Sequence, residues 1–206
     1  MTQAQMDTMD VCAFGAHPDD VELSAGGTIA SMVSKGKRVA LIDLTRGELG
    51  TRGTGGTRDM EAASAAEVLG VHHRENLNLG DGFFEIDQPA LTKVIEVLRR
   101  LRPQIVLANA KSDRHPDHGR ASSLLERACF LSGLLKIETV DQKSGETQET
   151  WRPQSLHYYI QDRWRTPDFI VDISGFEAVK YAAIGTYKTQ FHAGSGKNEP
   201  VTPISS

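Results

Sequence analysis

The sequence lacks three features that would identify large classes of protein. No apolar run approaches the ~18 residues needed to cross a bilayer, and the opening MTQAQMDTMD is too polar for a secretory signal. The formal net charge of -4 excludes the basic field typical of nucleic-acid binders. The cysteines, Cys12 and Cys129, have no metal-type spacing and are expected to be buried free thiols. We therefore expect a cytoplasmic protein that acts on a small molecule, with no membrane and no nucleic acid as partner.

The composition and the order of short apolar runs predict the fold class. With 206 residues, 39% hydrophobic and 24% charged, the chain can form one domain with a sizeable core and is neither disordered nor fibrous. Because β-rich runs alternate with helical stretches, we expect an α/β fold, a Rossmann-like, mostly parallel sheet with helices on both faces. A single domain is expected over residues 1–206, with residues 1–9 disordered.

Apolar patterning places the individual elements. The unbroken run RVALIDLT is typical of a parallel strand covered on both faces, and QPALTKVIEVLRRLR has the spacing of an amphipathic helix. Residues 72–75, HHRE, follow a predicted helix end and are expected to form a loop rather than a metal site. Strands are predicted over residues 11–17, 38–45, 74–80, 104–110, 155–160 and 168–174, and helices over residues 20–36, 58–69, 88–102, 119–136 and 176–191.

Two similar tetrapeptides each follow a predicted strand. AHPDD ends the first strand with His17, Asp19 and Asp20, and HPDH lies shortly after the fourth. In a parallel sheet, ligands bind beyond the carboxyl ends of the strands, so both clusters lie where a site is expected. A lone HPD is often a turn with an aspartate that caps the next helix. Two such clusters at comparable strand ends favour a shared function instead.

The combined donor set suits metal catalysis. Bringing the clusters together gives three histidines and three aspartates, a set that contains two histidines and one carboxylate with groups to spare. Such a site suits catalytic zinc, and ferrous iron uses similar donors. Adjacent residues such as Asp19 and Asp20 cannot easily both bind one ion, so one can be the ligand and its neighbour a base. The same division applies to His115 and His118, and the residues alone leave the choice within each pair open.

AHPDD and HPDH, together with LTRGELGTRG, DGFF, RPQIVLAN and SDRHPDHGRAS, resemble the LmbE-like superfamily of zinc-dependent N-acetylglucosamine deacetylases. The similarity runs from about Val11 to the end of the chain and is greatest to the bacillithiol-synthesis branch, which deacetylates N-acetylglucosaminyl-malate. It implies a homo-oligomer and, after VTPISS, a further C-terminal element. It also implies zinc, or iron in the cell, with the metal ligands His17, Asp20 and His118.

The resemblance further implies roles for the remaining residues of the two clusters. Asp19 matches the base that activates the metal-bound water. His115 matches the histidine that stabilises the tetrahedral intermediate and protonates the departing amine. Asp117 lies where it would orient an imidazole, and the implied reaction is hydrolysis of the acetamide to acetate and a free amine.

Arginines near the expected site suit an anionic substrate. Malate carries two carboxylates, which arginine binds bidentately. Arg58 and Arg114 are the first candidates, followed by Arg52, which could instead pair with Glu48. In TYKTQFHAG, where family members often carry serine in place of Thr189, the candidate sugar contacts are Gln190 and His192.

Three alternative functions remain open. The enzyme could deacetylate another N-acetylglucosamine conjugate or a chitooligosaccharide. The glycine-rich RGELGTRGTGGT could belong to a nucleotide-binding module, but it lacks both the G-x-G-x-x-G spacing and the P-loop lysine. A non-catalytic metal-binding protein would not need the spare Asp19 and His115.

Overall fold

A five-stranded sheet organises the molecule in the computed structural model, which describes residues 8–142 and 144–191. Residues 1–7 of the segment predicted to be disordered lie outside these ranges. All strand pairs are parallel, and the order across the sheet is β3-β2-β1-β4-β5. The strands are β1 Val11–Gly15, β2 Val39–Asp43, β3 His73–Asn76, β4 Ile105–Ala108 and β5 Ser155–Tyr158. The helices are α1 Asp20–Ser34, α2 Gly55–Leu69, α3 Gln88–Leu101, α4 Pro116–Leu131, α5 Glu177–Ile184 and α6 Lys188–Phe191. The predicted α/β fold is confirmed.

Helices cover both faces of the sheet. Cys12 and Phe14 of β1 point into a core with α3 and α4, whereas Val11 and Ala13 point into a second core with α1, α2 and α5. This alternation follows from the two-residue period of a strand, and it explains why the central strands are apolar at nearly every position. Both cysteines are free and buried, as predicted. Within the described ranges, no helix is long and apolar enough to span a bilayer.

The strand order determines where the site lies. The chain moves outward from β1 through β2 to β3, then returns to place β4 on the other side of β1. Ligands in open α/β sheets bind at the carboxyl ends of strands where the order reverses in this way. The residues that follow β1 and β4 carry the two histidine clusters, so the fold brings both clusters to this position.

Three predicted elements were wrong. Residues 168–174 form no strand: they make no ladder with the edge strand β5, and Phe169 and Ile170 are exposed. An apolar pattern alone cannot supply the neighbouring strand that a ladder requires. The predicted loop at residues 72–75 is wrong from His73 onward, because β3 pairs there with β2. The overlapping strand predicted over residues 74–80 is confirmed at residues 74–76. The predicted helix over residues 176–191 is interrupted between α5 and α6.

Candidate metal and active site

A cleft of about 750 Å³ lies at the carboxyl ends of β1 and β4. Its position follows from the parallel pairing of these strands, which places the turn after β1 beside the loop after β4. The cleft is lined by most of the predicted site residues, namely His17, Asp19, Asp20, Arg58, Arg114, His115, His118 and Gln190. Asp117 is fully buried behind them, Arg52 does not line the cleft, and His192 lies outside the described residues.

The turn after β1 has an unusual backbone. Asp19 has φ 108°, in the left-handed region, which costs a non-glycine residue about 1–2 kcal/mol. It precedes α1, but its side chain makes no capping hydrogen bond to that helix. The adjacent Asp20 carboxylate accepts instead from the backbone N–H of His17 at 3.0 Å. Capping therefore does not explain why Asp19 is present.

Three imidazoles meet at the base of the cleft. The ring centroids of His17 and His115 are 4.6 Å apart, and those of His115 and His118 are 5.2 Å apart. One ring nitrogen from each of the three lies within 4.8 Å of the others. Nitrogen donors at this separation can bind a single metal ion.

The carboxylate of Asp20 joins this group. Its Oδ1 lies 3.1 Å from Nε2 of His118, and its Oδ2 lies 3.7 Å from Nδ1 of His17. Burial alone would raise the pKa of Asp20, but His118 and His17 hold it well below its usual range. The structure thus brings the predicted ligands His17, Asp20 and His118 together, with Asp20 in its ionised form.

The hydrogen bonding of the imidazoles fits a cation. Nε2 of His17 is buried and has no hydrogen-bond partner in residues 8–142 and 144–191, although Asp81 Oδ1 lies 3.0 Å away. Nδ1 of His118 lies 2.6 Å from Asp113 Oδ2, which leaves Nε2 of His118 to face the cluster. A histidine that binds a metal commonly directs its other ring nitrogen to a carboxylate in this way.

A proton competes with a metal ion at His17. Burial alone would lower the pKa of His17, but the nearby carboxylates of Asp117 and Asp81 raise it to about 10. A protonated imidazole cannot bind a metal, so metal binding at this residue requires release of the proton. The same carboxylates favour any cation placed beside His17.

The Asp19 carboxylate has the properties of a general base. Burial raises the pKa of Asp19 to about 7, while Arg58 opposes the rise and Asp20 adds to it. Nη2 of Arg58 lies 3.2 Å from Asp19 Oδ2 and also donates to the carbonyl of Pro18. A base is most effective when its pKa is close to the working pH. Arg58 therefore holds Asp19 in place at the edge of the cleft.

His115 differs from the other two histidines. Its Nδ1 accepts a hydrogen bond from the backbone N–H of Asp117 at 3.2 Å, so the ring proton of the neutral form lies on Nε2. Burial lowers the pKa of His115, and the neighbouring His17 and His118 lower it further. This imidazole is thus a neutral donor within the cluster. The Asp117 side chain turns away, with Oδ2 at 3.4 Å from His17 Nε2.

The predicted substrate contacts differ in how free their side chains are. Arg114 lines the cleft and lies 3.6 Å from Asp162, with nearly half of its side chain exposed. The guanidinium of Arg52 donates to the carbonyl of Gln190, whose side chain donates in return to the carbonyl of Arg52. Glu48 accepts hydrogen bonds from the backbone N–H groups of Arg46 and Asp81.

Sequence reasoning missed several residues of this site. Asp81 lies in the DGFF segment quoted for the resemblance, yet no role was predicted for it. Asp113 had a usable signal, since it lies two residues before His115 in the same loop. Lys180 of α5 lines the cleft although it is distant in sequence from both histidine clusters, and it had no sequence signal at all. Gln161, which follows β5, is a further missed residue.

Comparisons with known proteins agree with this geometry. The family model described as PIG-L, GlcNAc-PI de-N-acetylase, matches residues 12–129, which are more than half of the chain and include both histidine clusters. The diacetylchitobiose deacetylase of Thermococcus kodakarensis is 30% identical, over 90% of this chain and 71% of its own length. The 4-oxalmesaconate hydratase of Pseudomonas putida is 29% identical, over 93% of this chain and 78% of its own length.

A solved structure has a similar fold. A conserved protein of Thermus thermophilus superposes with a TM-score of 0.82 and is 38% identical, covering 89% of this chain and 80% of the other. The resemblance to the LmbE-like superfamily is therefore confirmed, while its bacillithiol branch stays a prediction. The chain belongs to the GlcNAc-PI de-N-acetylase (PIG-L) family.

Proposed function

We propose that this protein is a metal-dependent deacetylase that releases acetate from N-acetylglucosaminyl-malate, a step of bacillithiol biosynthesis. The observation that carries the proposal is the cluster of three imidazoles and two adjacent aspartates at the base of a 750 Å³ cleft. The diacetylchitobiose deacetylase relative supports removal of an acetyl group from an amino sugar. The cytoplasmic location and the homo-oligomer belong to the same proposal.

Zinc is the proposed metal, with iron as the alternative in the cell. His17, Asp20 and His118 would hold it, since their donor atoms surround one point and Asp20 is ionised. Bound there, zinc would act as a Lewis acid that polarises the amide carbonyl and acidifies water. A nitrogen-rich set with one carboxylate is typical of catalytic zinc sites with an open position.

The protein groups would then move the protons. Asp19 accepts a proton from the attacking water, while Arg58 keeps the carboxylate directed into the cleft. His115 carries its proton on Nε2 and donates a hydrogen bond to the oxyanion that forms at the carbonyl. The amide C–N bond breaks when Asp19 passes the proton that it took from water to the nitrogen, because an amide anion is too poor a leaving group. His115 keeps its proton, since the neutral ring would otherwise become an imidazolate. The products are acetate and a free amine.

The charges around the cleft support an anionic aglycone. Arg114 and Lys180 both line the cleft, and Lys180 has no carboxylate within ion-pair distance among the described residues. Arg58 is already engaged with Asp19. Lys180, and Arg114 once it leaves Asp162, would pair with the carboxylates of malate, which a neutral disaccharide lacks. A chitooligosaccharide or another N-acetylglucosamine conjugate is the alternative substrate.

The test is amine release from N-acetylglucosaminyl-malate, free N-acetylglucosamine and diacetylchitobiose, with metal content measured on the same samples. We expect a strong preference for the malate conjugate and loss of activity with a chelator. Asp19→Asn should abolish turnover and retain metal, whereas the control Asp59→Asn, on the exposed side of α2, should do neither. Equal rates on all three compounds would overturn the substrate assignment. Bound metal without amine release would overturn the deacetylase.

A hydratase is the second candidate function. The Pseudomonas putida relative, named as a 4-oxalmesaconate hydratase, is nearly as similar over a similar share of the chain. Addition of water to an unsaturated polycarboxylate would use the same base and the same cations. The absorbance loss of 4-oxalmesaconate, measured beside the amine assay, separates the two activities.

A further inference from the structure

The Asp20 carboxylate lies between two side-chain amides. Nδ2 of Asn109, the residue after β4, donates to Asp20 Oδ2 at 3.0 Å. Nε2 of Gln161, beyond β5, donates to Asp20 Oδ1 at 3.1 Å. The two amides also contact each other, because Asn109 Nδ2 lies 3.1 Å from Gln161 Oε1. Asp20 is thus held from the ends of two neighbouring strands.

Backbone N–H groups determine which way both amides point. The N–H of Ala16 donates to Asn109 Oδ1 at 2.9 Å, and the N–H of Ala110 donates to Gln161 Oε1 at 3.2 Å. A backbone N–H can only donate, so each amide must place its oxygen there and its NH₂ group toward Asp20. The opposite orientation of either amide would set two donors against each other.

Each carboxylate oxygen of Asp20 faces two groups in this arrangement. Oδ2 receives the N–H of His17 and the amide of Asn109, both at 3.0 Å. Oδ1 receives the amide of Gln161 and faces Nε2 of His118 at 3.1 Å. The His17 N–H and the two amides therefore occupy three acceptor positions of the carboxylate and leave its remaining lone pair directed toward the imidazoles.

We propose that Gln161, together with Asn109, is a positioning residue that orients Asp20 for metal binding. The proposal rests on the proposed function, because it concerns the same metal site. Gln161 lies on the cleft wall and is only partly buried, so its replacement leaves the core intact. Partners of this kind behind a ligand contribute about 10–100-fold to metal affinity.

The experiment compares Gln161→Met with Gln148→Met. Gln148 is also partly buried, and its amide donates to the carbonyl of Glu96 at 2.9 Å, away from the cleft. Zn²⁺ affinity is measured by competition with a chromophoric chelator, and the Tm of the metal-free protein is measured beside it. We expect Gln161→Met to weaken Zn²⁺ binding about 10–100-fold. Both variants should remain folded by the metal-free Tm, so that weaker binding is not a consequence of unfolding, and Gln148→Met should keep the parent affinity.

Each other outcome has a distinct meaning. Zn²⁺ affinity of Gln161→Met within twofold of the parent would overturn the inference. A raised KM with unchanged Zn²⁺ affinity would also overturn it, because Gln161 would then contact substrate instead of orienting Asp20. A parent protein that binds no Zn²⁺ would overturn both the inference and the proposed function. A parent that binds Zn²⁺ with the expected difference but releases no amine would overturn only the deacetylase.

Discussion

The guanidinium of Arg58 lies 3.2 Å from the carboxylate of Asp19, and the two side chains are only 6% and 8% exposed. Arg58 belongs to α2, whereas Asp19 belongs to the turn after β1. The same guanidinium donates to the carbonyls of Pro18 and Gly47. One side chain therefore ties together the helix, the turn that carries the expected base, and the loop that borders the cleft.

Replacement of Arg58 should affect both stability and kcat. Removing one partner of a buried ion pair costs about 3–5 kcal/mol, because the other charge stays buried without compensation. We expect Arg58→Met to lower the free energy of unfolding by an amount of this order in urea titrations. We also expect kcat to fall by at least about tenfold. General-base catalysis contributes ~10²–10⁴-fold to the rate, and a misplaced base loses much of this acceleration.

Arg46→Met is the matched control. Arg46 pairs with Asp59, which belongs to α2 like Arg58. The side chains of Arg46 and Asp59 are 38% and 41% exposed. Exposed pairs contribute about 0–1 kcal/mol, so this variant should stay close to the parent. If Arg58→Met instead raised KM for the malate conjugate and left kcat unchanged, Arg58 would bind the aglycone directly.

Gly47 should not tolerate a larger residue, because it lies against the Arg58 guanidinium. It has φ +61°, and a Cβ at this position would come within 2.5 Å of the Arg58 guanidinium, where real Cβ contacts do not occur. Gly47→Ala should therefore lose more stability than the ~1–2 kcal/mol of the left-handed backbone alone, and it should lose activity as Arg58 is displaced. Gly36→Ala is the control, since Gly36 has φ +75° but no atom within 4 Å of the added Cβ. Equal losses in urea titrations of both variants would contradict the contact with Arg58.

Local patterns were sufficient to predict the sheet and the two histidine clusters. A parallel strand buried on both faces is a continuous apolar run, and both HPD tetrapeptides lie a few residues beyond such runs. The reversal of strand order between β1 and β4 then makes their convergence a consequence of topology. Which residue of each pair binds metal could not be read from the residues alone.

The remaining parts of the site depend on contacts between distant segments. Asn109 and Gln161 are 89 and 141 residues from Asp20 in sequence, and Lys180 belongs to a helix on the other side of the cleft. Local sequence patterns, such as apolar periodicity or motif spacing, do not predict contacts between residues so far apart in sequence. Residues 168–174 show the opposite error, because an apolar pattern predicted a strand and the segment makes no ladder with the free edge of β5.

Lys180 should distinguish an anionic substrate from a neutral one. Its stem packs on Gly26 of α1, where an added Cβ would lie 3.3 Å from Lys180 Cγ, and the residue lines the cleft. We expect Lys180→Met to raise KM for N-acetylglucosaminyl-malate about tenfold, equivalent to ~1.4 kcal/mol, and to leave KM for free N-acetylglucosamine unchanged. Lys188→Met, an exposed lysine outside the cleft lining, is the control. An equal rise for both substrates would show that Lys180 does not contact the aglycone.

The hydrogen bond from the phenol of Tyr187 to the buried Glu22 should contribute to the stability of the fold. The Tyr187 hydroxyl donates to Glu22 Oε1 at 2.7 Å. Glu22 is fully buried, and its other oxygen has no hydrogen-bond partner in the described part of the chain. Burial and the Glu22 charge raise the pKa of Tyr187 well above its ordinary value, so the phenol keeps its proton.

Tyr187→Phe should lower the free energy of unfolding by about 1.5–3 kcal/mol, the contribution of a hydrogen bond to a charged group. The reason is that Arg74 would become the only partner of Glu22 within the described residues. Urea titration at pH 7 measures the change. Tyr181→Phe on the same region of the chain, where Tyr181 is 70% exposed, should change stability by less than about 0.5 kcal/mol. If the two variants were equally stable, water would have replaced the phenol at Glu22, and the buried carboxylate would not depend on Tyr187.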